Sequence, residues 1–69
     1  MSMNNFYKLL IYFKRGERIT KKYLLGRPGI SEELIYEAEK LGYIQEVDKT
    51  DINEPRYRIT EAGIQKRDN

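Results

Sequence analysis

The chain has 69 residues, of which 35% are charged and 39% are hydrophobic, a length that suits one small domain. Because it contains no cysteine and no histidine, disulfides, the common zinc sites and catalysis by either side chain are excluded. The net charge of +2 is unevenly distributed. Residues 1–31 contain seven cations and one anion, whereas residues 32–69 contain six cations and ten anions. One part of the chain therefore suits a polyanion and the other repels it.

The first predicted helix runs from about Met3 to Arg15 and ends at Gly16. Its buried face is predicted by apolar residues at the helical spacing i, i+3, i+4, i+7, namely Phe6, Leu9, Leu10 and Phe13. Three further apolar residues, Tyr7, Ile11 and Tyr12, give the helix a second packing surface. Two interpretations stay open for these three: they cover other parts of the same core, or they form the contact of a homodimer.

The second and third helices begin with the same capping pattern. Thr20 and Ser31 are good N-caps, and each follows an isoleucine that pairs with an apolar residue one turn into the helix, as in a hydrophobic staple. Between the two helices, residues 26–29 contain two glycines and a proline, which interrupt the helical path. Two helices joined by such a brief turn form a helix-turn-helix unit.

The third helix is predicted over about Glu32 to Leu41, followed by Gly42 as its stop. Its core-facing residues are expected to be Leu34, Ile35, Ala38 and Leu41. Its outward face is expected to carry Glu33, Tyr36 and Lys40, flanked by Glu32, Glu37 and Glu39.

Two antiparallel strands and a last helix complete the predicted fold. The strands are Tyr43 to Val47 and Arg56 to Thr60, with the loop from Asp48 to Pro55 between them. Thr60 caps a short final helix, and the tail from Lys66 onward is expected to be frayed.

Two motifs in the second half of the chain carry a family resemblance. They are Leu41-Gly42-Tyr43-Ile44 and Tyr57-Arg58-Ile59-Thr60-Glu61-Ala62-Gly63. With the helix pair before them, they resemble the winged helix-turn-helix superfamily, and the second motif is similar to the strand and cap that follow the wing in MarR-like and PadR-like regulators. The resemblance implies one α+β domain over residues 1–69, with three helices, a two- to three-stranded antiparallel wing over about 43–60 and a short C-terminal helix.

The resemblance also implies a function, namely a small regulatory protein that binds duplex DNA. The third helix, about residues 31–42, would enter the major groove and present Ser31, Glu32, Glu33, Tyr36 and Lys40. The wing would flank it at residues 49–53. The acidity of both segments is unusual for this role, because cations that contact phosphate supply most of the non-specific affinity for DNA.

The residues themselves offer a phosphate-contact site at the start of the second helix. Lys21 and Lys22 occupy its first two positions, where a cation opposes the helix dipole. Free amides at a helix N-terminus suit a phosphate, so Thr20, Lys21 and Lys22, with Arg18 and Arg27 near them, are candidate backbone contacts. Arg56 and Arg58 share the outward face of their strand and are candidates for a second phosphate track. The alternative is that all six cations are simply solvated.

The acidic third helix supports a different class of function. Its glutamates form either an ordinary solvated face or, together with the acidic wing, a surface for a basic protein partner, as in an adaptor or inhibitor. The size of the chain is also compatible with an origin in a phage or another mobile element.

Other function classes find no support in the sequence. Asp48, Asp51 and Glu54 lack the spacing of a calcium loop, no glycine motif cradles a phosphate, and no nucleophile with its base is recognisable. No metal, cofactor or enzymatic activity is therefore expected. No apolar run is long enough for a membrane span and no signal peptide is recognisable, so the prediction is a cytoplasmic protein.

Overall fold

The computed structural model describes residues 5–47 and 53–69. The described chain forms a small α+β domain with four helices and a three-stranded antiparallel sheet. The helices are α1 (Tyr7–Leu10), α2 (Lys21–Leu25), α3 (Glu32–Lys40) and α4 (Glu61–Asp68), and the strands are β1 (Ile19–Thr20), β2 (Ile44–Val47) and β3 (Arg56–Ile59). The third strand that the sequence left open is therefore β1, directly before α2.

The sheet has the order β1-β3-β2, so β3 is its central strand. Ile19 is paired with Tyr57, and Ile44 with Ile59. These four side chains are buried and face the helices. Side chains alternate between the two faces of a sheet, so Arg56 and Arg58 lie on the outer face, as predicted.

One apolar core lies between the helices and the inner face of the sheet. Helices α1, α2 and α3 contribute Leu9, Leu10, Leu24, Ile35 and Ala38, all at most 1% exposed. The buried set also includes Phe13 and Ile30 from the segments between elements. Phe6, Leu34 and Ile64 are half-buried and pack against this core. Among the described residues, no polar or charged side chain is buried.

The three predicted N-caps are confirmed. The hydroxyl oxygens of Thr20 and Ser31 accept hydrogen bonds from backbone amides three residues later, both at 3.1 Å. Thr60 does the same for the amide of Gly63 at 3.0 Å. The Thr60 hydroxyl also donates to backbone carbonyls at the turn between α3 and β2, so one side chain both starts α4 and fixes its position on the sheet.

Two predictions about helix length were wrong. The regular part of α1 ends at Leu10 instead of Arg15. The amide of Ile11 still donates to the carbonyl of Tyr7, but the amides of Tyr12 and Phe13 donate only three residues back, to Leu9 and Leu10. The physical reason is the run of β-branched and aromatic residues from Ile11 to Phe13, which favour a helix weakly. The predicted buried face remains correct, since the turn still carries Phe13 into the core.

At the other end, the predicted frayed tail is helical as far as Asp68. The Arg67 guanidinium donates from Nη1 to the carbonyl oxygen of Phe13 at 2.9 Å and from Nε to Asp68, also at 2.9 Å. This tertiary hydrogen bond satisfies a carbonyl at the end of the first helical segment and holds the last turn of α4 in place.

Leu41 was expected in the core but is 52% exposed. Helix α3 ends at Lys40, and the chain reverses at Gly42 with φ of +83°, so the side chain of Leu41 lies beyond the last turn that packs on the sheet. Of the predicted wing contacts at residues 49–53, only Asn53 falls within the described residues.

Candidate nucleic-acid interface

The N-termini of α2 and α3 are joined by an ion pair that sequence reasoning did not anticipate. The ammonium nitrogen of Lys21 lies 2.6 Å from a carboxylate oxygen of Glu32. The hydrogen bond that the Lys21 ammonium donates to the Glu32 carboxylate raises the pKa of Lys21 and lowers the pKa of Glu32. The pair explains why a lysine is tolerated at the start of α2, because a carboxylate offsets its unfavourable interaction with the helix dipole.

Two backbone amides of the predicted phosphate site at α2 are already hydrogen-bonded within the protein. The backbone amide of Lys21 donates to the carbonyl oxygen of Pro55 at 2.8 Å, and the amide of Tyr23 donates to Thr20. Neither amide is therefore open to a ligand. Lys22 is exposed and lines a shallow cleft with Leu25 and Glu54, so it is the more accessible of the two lysines.

Arg27 is held against the protein surface. Its guanidinium carbon lies 4.5 Å from the centre of the Tyr23 ring, a cation–π contact. Its Nε atom is buried and has no hydrogen-bond partner among the described residues. Tyr23 also meets Tyr12 edge to face, with ring centres 6.5 Å apart. Arg27 thus contributes to packing at the junction of α1 and α2 as well as positive charge.

The outer face of α3 is acidic with an aromatic centre. Glu33, Tyr36 and Lys40 are exposed, as predicted, and the side chain of Tyr36 is 61% exposed. Ser31 is also exposed, although its hydroxyl oxygen caps the helix. The helix carries four glutamates and one lysine. Of these glutamates, Glu32 is neutralised by Lys21, and Glu39 is half-buried on the side of the helix that faces Lys21 and Tyr57.

The other arginines among the predicted contacts, Arg18, Arg56 and Arg58, lie on or beside the sheet. Arg58 is exposed, and its Nη2 atom donates to the side-chain oxygen of Gln45 at 3.4 Å. Arg56 is half-buried on the same face, and Arg18, exposed, directly precedes β1. The predicted nucleic-acid contacts therefore fall into two groups, one at the N-termini of α2 and α3 and one on the outer face of the sheet.

The three predicted dimer residues differ in exposure. Ile11 is 50% exposed, whereas Tyr7 and Tyr12 are half-buried. Tyr12 packs against the core, so the interpretation that these residues cover the chain's own core is correct for part of this surface. Ile11 is left as the exposed apolar side chain between them.

No group of three or more potential metal-binding side chains occurs in the described part of the chain. Within residues 5–47 and 53–69, no helix has the length and apolar character needed to cross a membrane.

Comparisons with protein-family models, with curated proteins and with solved structures gave no match.

Proposed function

We propose that the chain is a winged helix-turn-helix domain that binds duplex DNA as a small regulatory protein. The observation that carries the proposal is the chain order α1-β1-α2-α3-β2-β3 together with the sheet order β1-β3-β2. A capped helix pair accompanies a sheet whose last two strands are consecutive and antiparallel, and this agrees with the arrangement that the family resemblance implies.

Charge supports the same proposal. The exposed cations Arg18, Lys22 and Arg58 extend from the start of α2 to the sheet, and arginine presents a planar fork that suits phosphate. The ion pair between Lys21 and Glu32 removes one of the carboxylates that opposed this function. We also propose that the protein acts as a homodimer through the α1 surface formed by Tyr7, Ile11 and Tyr12, since a domain of this size commonly gains stability by pairing.

The test is fluorescence anisotropy of a labelled mixed-sequence duplex titrated with the protein at about 50 and 200 mM salt. We expect micromolar or tighter binding at the lower salt. The logarithm of the binding constant should fall with the logarithm of salt concentration by about 0.9 for each phosphate contact. An absence of binding at the lower salt rejects the proposal for duplex DNA.

A second candidate function is supported by two exposed apolar residues, one on α3 and one directly after it. Tyr36 and Leu41 are 61% and 52% exposed, and Glu33 and Glu37 lie on the same outer side. Exposed aromatic residues are enriched at protein interfaces, so this face suits a basic protein partner. Titration with a lysine- and arginine-rich peptide tests it. Under this alternative, Tyr36→Ala and Glu37→Gln both weaken binding, while Lys22→Gln has no effect.

A further inference from the structure

The outer face of the sheet is basic and contains no opposing carboxylate on its described strands. Its outward positions in β1, β2 and β3 are occupied by Thr20, Gln45, Val47, Arg56 and Arg58. The register pairs Thr20 with Arg56 and Ile19 with Tyr57. Continued by one residue, the same register sets Arg18 opposite Arg58, on the outer side.

Arg18 directly precedes β1, so this extension of the register brings it beside Arg58 of β3, because neighbouring strands lie about 5 Å apart in the hydrogen-bonding direction. Like charges directly opposite each other destabilise a strand pair. An edge strand such as β1 gains from a charged residue, which discourages pairing with other chains, and this accounts for Arg18. It does not account for Arg58, because β3 is the central strand and has no free edge.

The cations continue beyond the strands. Arg15 and Arg58 both line a cleft with Gln45, Thr60 and Glu61, and Arg15 forms an ion pair with Glu61. Arg56 lies one step further along β3 from Arg58 on the same face. The sheet therefore presents Arg56 and Arg58, with Arg18 directly before β1, and the outward positions between them on the strands are neutral. Glu61, at the edge of this surface, is paired with Arg15.

The acidic face of α3 points elsewhere. Ile35 and Ala38 of α3 share the core with Ile44 and Ile59 on the inner face of the sheet. The outer face of the sheet is directed away from that core and hence away from α3. A polyanion that approaches the sheet meets arginines, whereas one that approaches α3 meets the exposed carboxylates of Glu33 and Glu37.

We propose that duplex DNA is held on the outer face of the sheet, by phosphate contacts of Arg18, Arg56 and Arg58, and that α3 does not enter the major groove. The inference rests on the proposed DNA-binding function and names the surface that performs it. The family resemblance implies instead that α3 enters the major groove. We assign the contact to the sheet because its outer face is basic, whereas the outer face of α3 is acidic.

Two double variants with the same loss of charge test this surface. Arg18→Gln with Arg58→Gln removes cations from the sheet, and Lys22→Gln with Lys40→Gln removes them from α2 and α3. Both are titrated against the same labelled mixed-sequence duplex at about 50 and 200 mM salt, and circular dichroism checks that both are folded. We expect the sheet variant to lose about tenfold or more in affinity and its salt slope to fall by about two contacts, while the helix variant loses much less.

The outcomes separate the surface from the function. Equal losses in the two variants mean that net charge alone matters and overturn the proposed surface. A larger loss in the helix variant also overturns it and returns the contact to α2 and α3, with DNA binding retained. If the unsubstituted protein does not bind the duplex at low salt, the proposed function itself is wrong, and the surface is rejected with it.

Discussion

Gly63 occupies a position in α4 where no side chain fits. A Cβ atom built there would lie 2.1 Å from the carbonyl oxygen of Tyr43 and 2.7 Å from Cγ1 of Ile59. The closer contact is with backbone, which cannot move aside as a flexible side chain does. The glycine therefore allows α4 to approach the turn between α3 and β2 closely, although glycine is a poor residue inside a helix.

We expect Gly63→Ala to lower the free energy of unfolding by about 3 kcal/mol, at the upper end of the usual cost of overpacking. Urea denaturation followed by circular dichroism measures the change. The matched control is Gln65→Ala, an exposed position two residues later on α4, which should change stability by less than about 0.5 kcal/mol. A Gly63→Ala protein as stable as the unsubstituted one contradicts the close packing, since helix propensity alone favours alanine by about 1 kcal/mol.

At the scale of elements, the ion pair between Lys21 and Glu32 ties α2 to α3 and predicts a dependence of stability on pH. The pKa of Glu32 is lowered below its ordinary value of 4.5 in the folded state. Its contribution is therefore present above that value and is lost as the pH falls through the folded pKa. The pKa of Lys21 is raised above 10.5, so its contribution is present below that value and is lost as the pH rises through the folded pKa.

The variant Glu32→Gln should consequently lose less stability than the unsubstituted protein when the pH is lowered from about 7 to about 3. Urea midpoints at the two pH values measure this difference. Glu33→Gln, one residue further along the same helix, serves as the control and should retain the full pH dependence. The assignment is wrong if Glu32→Gln and the unsubstituted protein lose the same stability.

The pairing of β1 with β3 makes a separate prediction, which does not depend on DNA. The register of β1 and β3, extended by one residue to Arg18, sets Arg18 opposite Arg58. Arg58→Gln should therefore raise the free energy of unfolding, by about 0.2 to 1 kcal/mol. The lower end is expected, since both side chains are exposed to solvent. Urea denaturation at low salt measures the gain, and about 1 M salt should reduce it. In the Arg58→Gln background, Arg18→Gln should give no further gain. A loss of stability on Arg58→Gln at low salt contradicts the opposed pair.

Local rules were sufficient for some elements and not for others. The caps at Thr20, Ser31 and Thr60 follow from short-range chemistry and were predicted from the sequence. The contact of Lys21 with Glu32 joins residues far apart in the chain, and the space that Gly63 leaves for Tyr43 is set by tertiary packing. The end of α4 depends on the hydrogen bond of Arg67 to Phe13, 54 residues away. Such tertiary contacts cannot be predicted from the periodicity of the sequence.

For the candidate site, the sequence suggested a set of cations but not how they are grouped in the fold. Arg56 and Arg58 were assigned to the outer face from alternation alone, and the strand register confirms that assignment. The separation of the sheet cations from the acidic face of α3 depends on how the helices pack beneath the sheet. That arrangement is a property of the folded core and not of any segment.

For the whole molecule, the proposed homodimer can be tested through Ile11. We expect sedimentation equilibrium to give a dimer, and Ile11→Glu to give a monomer, because a charge at this half-exposed position cannot be buried between two copies without a large cost. Leu41→Glu is a matched control, since Leu41 is 52% exposed and follows α3 instead of α1, and it should leave the dimer intact. A monomeric unsubstituted protein, or equal dissociation by both variants, contradicts the α1 interface.

Thr20 is at once the last residue of β1 and the N-cap of α2, so no linker separates strand from helix. The amide of the next residue, Lys21, is bonded to the carbonyl of Pro55, just before β3. Strand, helix and the start of β3 are thus one mechanical unit, in which α2 cannot rotate without moving the sheet. A ligand that contacts both α2 and the sheet therefore meets groups at a fixed spacing. Its binding does not have to restrict the relative motion of two independent parts, which is a cost that commonly weakens association.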